Sequence, residues 1–389
     1  MLKAKTGWSR NEDSKSAGRE CALMAAEGLA AVKVAFVYVS SDHDVDELLA
    51  GIQEVMPDAP LIGNTSFRAV VLPDGLVGGG CFAGMMALSG DGLLVSVAAA
   101  RNEDDGVEAG REAALEAHRK SGRIEMPAYC YLAANPGFEE GYIRGIREAV
   151  GNLPVFGGSA IDNYIMGDWC TFTDDGRVGD GMAVALFYAD KPIANLFTGA
   201  AYRETDDIGV ITKMEGCRKL IEIDNRPVLE RMTNYSGFDG DLLRGPDMMV
   251  ATMMNPLAVK YESGHLNVHH PMFLNSDDSI AMGTNIQIGD RAIKLETTVD
   301  ELVEAIGGTF RELRKKMNGT KPGAYHLACS FGRMDAIAER MDEVVAELQE
   351  AAEGIPFIME FTLSEFGEVP EASGGSVGNL MMSFTALPM

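Results

Sequence analysis

Long apolar runs and clustered basic residues are missing from this sequence. No stretch of about 18 consecutive apolar residues occurs, so no transmembrane helix is expected. No apolar segment follows the charged N-terminal residues 1–5, so no signal peptide is predicted. The formal net charge is −25, with 33 lysines and arginines against 58 aspartates and glutamates. Without a basic patch, we expect neither nucleic-acid binding nor membrane insertion, and we expect a soluble, cytoplasmic protein.

Closely spaced cysteines are missing as well. The six cysteines lie far apart and form no C-x-x-C pair, so neither a disulfide framework nor a structural zinc site is predicted. The run of glycines at residues 78–80 lacks the lysine of a P-loop and the spacing of a dinucleotide-binding motif. We therefore expect no nucleotide, metal or other cofactor.

The composition is that of a folded globular protein. Of the 389 residues, 46% are hydrophobic and 23% are charged, and no low-complexity tract is present. This length is too great for one ordinary core and favours two domains. The 23 methionines include several adjacent pairs, which indicate either an adaptable apolar surface or simple core filling.

The most informative feature is a unit that occurs three times. Each copy has a short apolar strand, a loop of small polar residues, an amphipathic helix, a proline and a second apolar strand. In the first copy, the strand, the helix and the second strand segment cover residues 32–39, 45–56 and 61–62. In the second copy they cover residues 128–132, 138–150 and 154–159. In the third copy they cover residues 324–328, 334–352 and 356–362. Asp44 is placed to cap the first helix. Each copy is predicted to form a βαβ unit with parallel strands.

Other segments predict antiparallel pairing. D-G turns lie beside apolar runs at residues 70–75 and 172–177, and residues 89–92 predict a hairpin turn between two buried strands. The predicted fold is therefore α/β, with two lobes of mixed β-sheet and flanking helices, built partly from repeated βαβ units. Residues 219–227 predict a strand, a turn and a helix start, which favours a division into domains 1–220 and 221–389.

The three βαβ units also predict a binding site. In open α/β sheets, ligands bind where loops leave the carboxyl ends of the strands. These loops and strand ends contain small polar and charged side chains that we take as ligand-binding candidates: Thr65, Ser66, Asn135, Ser159, Asp162, Cys329 and Arg333. The alternative is that the loops are only turns. Three copies of similar chemistry favour a shared pocket.

Several of these motifs, in this order, resemble the FIST N-terminal and C-terminal domains. The motifs are Pro60 to Ser66, Pro154 to Asp162, Val210 to Thr212, Ile221 to Pro227, Cys329 to Arg333, Phe361 to Gly367, and Asn379. The sequence departs from the usual family pattern at four places. It has Ser364 before Glu365 instead of glycine, Leu380 after Asn379 instead of threonine, Phe67-Arg68 after the first motif, and His269 where an arginine is usual.

The resemblance implies a non-catalytic sensor of small molecules, amino acids among them, that signals through a separate partner protein. Arg333 and backbone N–H groups would hold a carboxylate, Glu365 would meet an ammonium group, and Asn379 would offer both a donor and an acceptor. The simpler alternative is that Arg333 and Glu365 form an ordinary ion pair.

Two further functions stay open. Some members of the family bind haem and sense nitric oxide, and His269 or His270 would then be the axial ligand. An enzyme would use Cys329 as a nucleophile, with Arg333 lowering the pKa of its thiol. Buried histidines and a buried core cysteine are the simpler interpretations of the same residues.

Overall fold

The three predicted βαβ units are present. The structure, a computed structural model, describes residues 2–236, 243, 248–369 and 376–388. The first unit is β2 (Val34–Val39), α2 (Val45–Val55) and β3 (Leu61–Thr65). The second unit is β8 (Tyr129–Ala134), α4 (Glu139–Val150) and β9 (Val155–Ser159). The third unit is β22 (Pro322–Ser330), α8 (Phe331–Ala336), α9 (Met341–Ala352) and β23 (Phe357–Thr362). The two strands of each unit pair in parallel, as predicted.

Local signals in the first unit explain why α2 forms. The Asp44 carboxylate accepts hydrogen bonds from the N–H groups of Asp46 and Glu47 at the helix start, which satisfies donors that lack a partner within the helix. Leu48 and Ile52 lie one turn apart and are buried against the sheet. The predicted cap and apolar face are both confirmed.

The third unit differs from its prediction. One helix was expected over residues 334–352, but the backbone leaves helical geometry at Ile337 and again at Arg340. A short 3-10 turn, Ala338–Arg340, therefore separates α8 from α9. Arg340 binds Glu343 on α9 and Asp300 on another helix, which fixes its side chain beside the second break.

The strands of the three units belong to three six-stranded sheets. The strands of the first sheet, in spatial order, are β1 (Lys3–Ser9), β6 (Ala83–Ser89), β2, β3, β10 (Thr171–Thr173) and β11 (Gly176–Gly179). Those of the second sheet are β25 (Ser376–Gly378), β24 (Glu365–Gly367), β9, β8, β12 (Gly181–Tyr188) and β7 (Leu94–Arg101). Those of the third sheet are β13 (Ala194–Thr198), β26 (Met382–Pro388), β22, β23, β4 (Ala69–Leu72) and β5 (Gly75–Gly78). Each sheet is mixed, as the sequence predicts.

The hairpins exchange between the sheets in a cycle. The hairpin β4–β5 follows β3 but pairs with β23, the hairpin β10–β11 follows β9 but pairs with β3, and the hairpin β24–β25 follows β23 but pairs with β9. Both predicted D-G hairpins are therefore confirmed. The exchange joins the three units into one body, because each sheet takes strands from two of them.

The predicted hairpin at residues 89–92 is wrong. A turn is present there, but β6 pairs with β1 and β2, and β7 pairs with β12 in another sheet. Because both edges of β6 already carry partners, β7 cannot pair with it.

Aromatic side chains close the space between the three sheets. Phe36 on β2, Tyr131 on β8 and His326 on β22 contact one another, with ring centroids 4.9–5.0 Å apart. All three are fully buried. Mutual contacts of this kind add edge-to-face stabilisation to the hydrophobic gain of burial.

A fourth sheet, of eight antiparallel strands, packs beside these three. Its strands, in order, are β18 (Leu266–His269), β17 (Leu257–Lys260), β21 (Arg291–Glu296), β14 (Arg203–Glu215), β15 (Lys219–Ile223), β20 (Ile280–Met282) and β19 (Pro271–Leu274), with β16 (Arg226–Pro227) beside β15. The strand, turn and helix start predicted over residues 219–227 are present. The predicted division after residue 220 falls inside β15 and stays a prediction.

The remaining helices cover the sheets. They are α1 (Ser14–Ala26), α3 (Gly106–Ser121), α5 (Val228–Ser236), α6 (Met248–Thr252) and α7 (Val299–Lys316). The methionine pairs Met85-Met86 and Met381-Met382 are fully buried, so they fill the core. Among the residues that the structure describes, no helix combines the length and the apolar character needed to cross a bilayer.

Candidate functional site

The carboxyl ends of β3, β9 and β23 lie together. Three backbone hydrogen bonds of 3.1 Å join the segments that follow these strands: Ile161 N–H to the Thr65 carbonyl, Leu363 N–H to the Ser159 carbonyl, and Phe67 N–H to the Phe361 carbonyl. The strand ends are thus connected in the same cycle as the hairpins. Polar side chains from all three units are consequently brought to one end of the sheets.

Arg333, in α8 just after β22, is fully buried. Its Nε donates to the Leu380 carbonyl and its Nη2 to the Ala200 carbonyl, each at 2.6 Å. The guanidinium also lies over the Tyr202 ring, 5.0 Å from the ring centroid. Its Nη1 has no hydrogen-bond partner, and no carboxylate of a described residue forms an ion pair with it. The expected alternative, an ordinary ion pair with Glu365, is not formed.

Glu365 begins β24 and is also fully buried. Burial raises the pKa of its carboxyl well above the ordinary value, while hydrogen bonds and the charge of Arg333 act in the opposite direction. The hydrogen bonds come from Thr362 Oγ1 at 2.7 Å and Met381 N–H at 2.9 Å. The carboxyl is therefore shifted towards its neutral form.

Asn379 lies at the centre of a chain of buried polar groups. Its Nδ2 donates to the Ser364 Oγ at 3.0 Å, and its Oδ1 accepts from Thr284 Oγ1 at 3.2 Å. Thr284 lies 2.8 Å from Nδ1 of His269, and Nε2 of His269 lies 3.3 Å from Nδ2 of Asn267. Because the Asn267 amide donates, the neutral ring accepts at Nε2 and donates through Nδ1.

A second buried polar atom without a partner among the described residues lies on this chain. This atom is the Oδ1 of Asn267, an acceptor, whereas its Nδ2 also donates to the Val377 carbonyl at 3.0 Å. Asn267 and Arg333 therefore both bind the backbone of the segment 377–380, one at each end, and each keeps one unsatisfied atom. Buried polar atoms without partners are rare and costly in folded proteins.

Ser159 connects this cluster to α4. Its hydroxyl donates to Oε1 of Glu139 at 3.0 Å, and Glu139 forms a 2.7 Å ion pair with Arg218 on the fourth sheet. The side chain of Asn135 lies nearby in the chain but donates from Nδ2 to the Gly179 carbonyl, and its Oδ1 is without a partner.

The side chains of three predicted site residues form hydrogen bonds with the backbone. Thr65 accepts from the Cys170 N–H, and Ser66 bonds the backbone of residues 69 and 361. The Asp162 carboxylate accepts four backbone N–H groups from residues 164–168 and shapes the loop after β9. The structure therefore brings Ser159, Arg333, Glu365 and Asn379 into one region, whereas the side chains of Thr65, Ser66 and Asp162 are engaged by backbone groups at the strand ends.

Cys329 does not have the surroundings of a nucleophile. It is fully buried, and burial raises the pKa of its thiol to about 12 despite the nearby charge of Arg333. The reactive species is the thiolate, which is scarce at neutral pH for such a group.

The two adjacent histidines do not fit a haem ligand. Burial lowers the pKa of both rings to about 4. His269 uses both ring nitrogens within the chain of polar groups, and Nε2 of His270 lies 2.9 Å from the Met249 carbonyl. His269 is 4% exposed and His270 is fully buried, so neither ring could ligate a haem iron unless the segments that cover it were displaced. Within the described part of the chain, no group of three or more metal-ligating side chains occurs.

Sequence reasoning missed several members of the cluster. Asn267 and Thr284 lie on short segments of the fourth sheet without a recognisable motif. Glu139 lies in the first turn of α4, where a negative charge stabilises the helix, so its position alone does not indicate a site. Only the folded chain shows that it contacts Ser159.

The comparisons with known proteins identify the family. The sequence matches the FIST N domain over residues 33–226 and the FIST C domain over residues 230–368. No curated protein matches the sequence. Among solved structures, cyanuric acid hydrolase from A. caulinodans is 9% identical, with 100% of both chains covered and a TM-score of 0.38. Phosphoribosylformylglycinamidine synthase II from Thermotoga maritima is 10% identical, with 99% of this chain and 71% of that chain covered and a TM-score of 0.24.

At these TM-scores, neither likeness bears on function. The family match bears on it directly, because FIST domains are known as small-ligand sensory domains. The two matched regions cover nearly the whole chain, and the chain belongs to the FIST family.

Proposed function

We propose that the chain is a non-catalytic sensor of a small, amino-acid-like carboxylate, which binds around Arg333 at the meeting point of the three strand ends. The sensor would pass its signal to a separate protein partner. The observation that carries this proposal is the fully buried guanidinium of Arg333, which has an unsatisfied Nη1 and no carboxylate partner among the described residues.

A buried cation without a counter-charge is costly. Removing an ion from water costs several kcal/mol even after the protein relaxes. Two carbonyl contacts and the face of Tyr202 offset only part of this cost. A ligand carboxylate would supply both the missing negative charge and the missing acceptor for Nη1.

Glu365 favours a ligand that also carries an ammonium group. A cation beside the Glu365 carboxyl would stabilise its ionised form, which burial disfavours. The Asn379 amide already donates to the Leu363 carbonyl and the Ser364 hydroxyl and accepts from Thr284 and the His270 N–H, so it would support the site by holding Ser364 in place. Because all these residues are buried, a ligand reaches them only if neighbouring segments move, and such movement provides a means of signalling.

The proposal is tested by a thermal-shift screen of amino acids and other small carboxylates, followed by calorimetry on any hit. A ligand present at about 100 times its Kd stabilises the fold by about 2.7 kcal/mol. We expect Arg333→Met to abolish this stabilisation while the protein stays folded by near-ultraviolet circular dichroism, because the variant removes the unpaired charge and keeps an apolar chain of similar length.

A second variant tests the ammonium contact. Glu365→Gln is expected to reduce the preference for an amino acid over its analogue without the amino group, while Glu343→Gln, an exposed change on α9, leaves that preference unaltered. Cys329→Ala is expected to leave binding intact. The proposal fails if no carboxylate shifts the melting temperature, if Arg333→Met binds as well as the unaltered protein, or if the ligand is turned over in a Cys329-dependent reaction.

A further inference from the structure

A large cavity lies at the end of the sheets opposite the candidate site. Its volume is about 860 Å³, and it opens to solvent. Tyr129, the first residue of β8, and Pro388, the last of β26, line it. Pro388 pairs with Pro322 at the start of β22, whereas Met382 pairs with Cys329 near the end of that strand. The cavity and the Arg333 cluster are therefore at opposite ends of the same strands.

The walls of the cavity are largely apolar. Tyr129 and Phe187 stack with ring centroids 4.7 Å apart and an angle of 20° between their planes. Leu2 and Leu93 are partly exposed and supply the accessible aliphatic surface, whereas Leu88 and Leu387 are buried behind it. The volume lies in the range of about 300–1,000 Å³ that is typical of small-molecule sites, which also combine apolar walls with a few polar groups.

The polar groups of the cavity favour an anion. Lys321 and Lys191 line it, together with one aspartate, Asp190. Lys321 is exposed and forms no hydrogen bond or ion pair that involves a described residue. Lys191 and Lys321 outnumber Asp190 among the lining residues, and this favours an anionic ligand group beside the amine of Lys321.

We propose that this cavity is a second ligand site, which binds an amphipathic anion with an apolar alkyl or aromatic body and one carboxylate. The body packs against the partly exposed side chains of Leu2 and Leu93, above the buried Tyr129 and Phe187 rings, and the carboxylate lies near Lys321. This site is separate from the one around Arg333, and neither proposal depends on the other.

The binding test uses fluorescence titration with the aromatic anion 8-anilinonaphthalene-1-sulfonate and displacement by decanoate or by the neutral alcohol 1-decanol. We expect saturable binding of one probe per chain, and decanoate should displace it about threefold more tightly than decanol at low salt. High salt should remove this difference, because exposed charges are screened. Absence of saturable binding overturns the proposal, and equal displacement by decanoate and decanol at low salt overturns the anionic class.

Variants locate the site. Lys321→Glu should abolish the preference for decanoate, while Arg291→Glu, the same charge reversal at an exposed position of β21, should keep it. Gly92→Trp should weaken probe binding about tenfold, because Gly92 lines the cavity. The control is Gly308→Trp on α7. Gly92 and Gly308 are matched, because at each position an added Cβ meets no atom within 4 Å and the backbone φ lies outside the left-handed region.

If Gly92→Trp binds the probe as Gly308→Trp does, the cavity is not the site. If Lys321→Glu behaves as Arg291→Glu does, the carboxylate does not lie near Lys321. Arg333→Met should leave probe binding unchanged, which separates this test from that of the amino-acid site.

Discussion

Glu360 is expected to make the stability of the protein fall as the pH rises. It lies on β23 and is fully buried. Its carboxyl accepts hydrogen bonds from Nδ2 of Asn64 at 2.9 Å and from the hydroxyl of Tyr131 at 3.3 Å. Burial raises its pKa from the ordinary 4.5 to about 7, with these hydrogen bonds partly opposing the change. Nε2 of His326 lies 3.5 Å away, and burial lowers the pKa of that ring to about 3, so the two groups do not form an ion pair at acidic to neutral pH.

The sign and size of the effect follow from linkage. Between pH 4.5 and 7, the folded chain holds a proton at Glu360 that the unfolded chain has released. The contribution of Glu360 to stability is therefore complete below pH 4.5 and is lost as the pH rises through 7. At about 1.4 kcal/mol for each pH unit between the two pKa values, the loss is about 3 kcal/mol.

The perturbation is Glu360→Gln, which has nearly the same shape and cannot ionise. We expect the free energy of unfolding of the variant, relative to that of the unaltered protein, to rise by about 3 kcal/mol between pH 4.5 and 8. The assay is urea unfolding followed by circular dichroism across this range. The buried histidines destabilise both proteins in acid, so their contribution cancels in the difference.

The control is Glu304→Gln, a change of the same kind at an exposed position of α7. Its difference curve should be flat. If the Glu360→Gln curve is equally flat, or if the variant loses stability relative to the unaltered protein as the pH rises, then the carboxyl is ionised inside the fold and the reasoning from burial is wrong.

Two further predictions concern packing and thiol chemistry. Gly63→Ala should lower the free energy of unfolding, measured in urea, by about 3 kcal/mol, because the added Cβ would lie 1.8 Å from the Val37 carbonyl oxygen. The control is Gly92→Ala, which should change the stability little because no atom lies within 4 Å of its added Cβ. Cys217 is exposed, and we expect it to react with iodoacetamide within minutes in the native protein at pH 8, whereas the buried Cys329 should react only after unfolding. Peptide mass spectrometry measures the alkylation of each cysteine. Rapid alkylation of Cys329 in the native protein would reopen the enzyme hypothesis.

Much of the local structure was predictable because local chemistry decides it. Three local signals act over a few residues each, and each is present as predicted. They are the cap at Asp44, the apolar spacing of α2 and the D-G turn that contains Gly75. The helix expected from residue 334 to residue 352 failed for the opposite reason. Its sequence keeps a helical pattern through Ile337 and Arg340, and only contacts with other parts of the chain accompany the two breaks.

The candidate site was partly predictable. The loop after the third strand-end motif indicated Arg333, and the resemblance to the FIST domains indicated Glu365 and Asn379. The sequence could not indicate that the side chains of Thr65, Ser66 and Asp162 would form hydrogen bonds with backbone groups. Nor could it show whether Arg333 and Glu365 form an ion pair or lie apart in the core, because that depends on distances set by different elements of the fold.

The sequence by itself therefore determined the three βαβ units and the mixed character of their sheets, because propensity, capping and turn chemistry act between close neighbours in the chain. The order of its motifs indicated the family. Only the tertiary structure decided which sheet each hairpin joins, that Phe36, Tyr131 and His326 meet between the sheets, and that the buried guanidinium of Arg333 forms no ion pair with a described carboxylate. Those outcomes depend on the edges and side chains that distant segments present to one another, and a linear pattern carries no record of them.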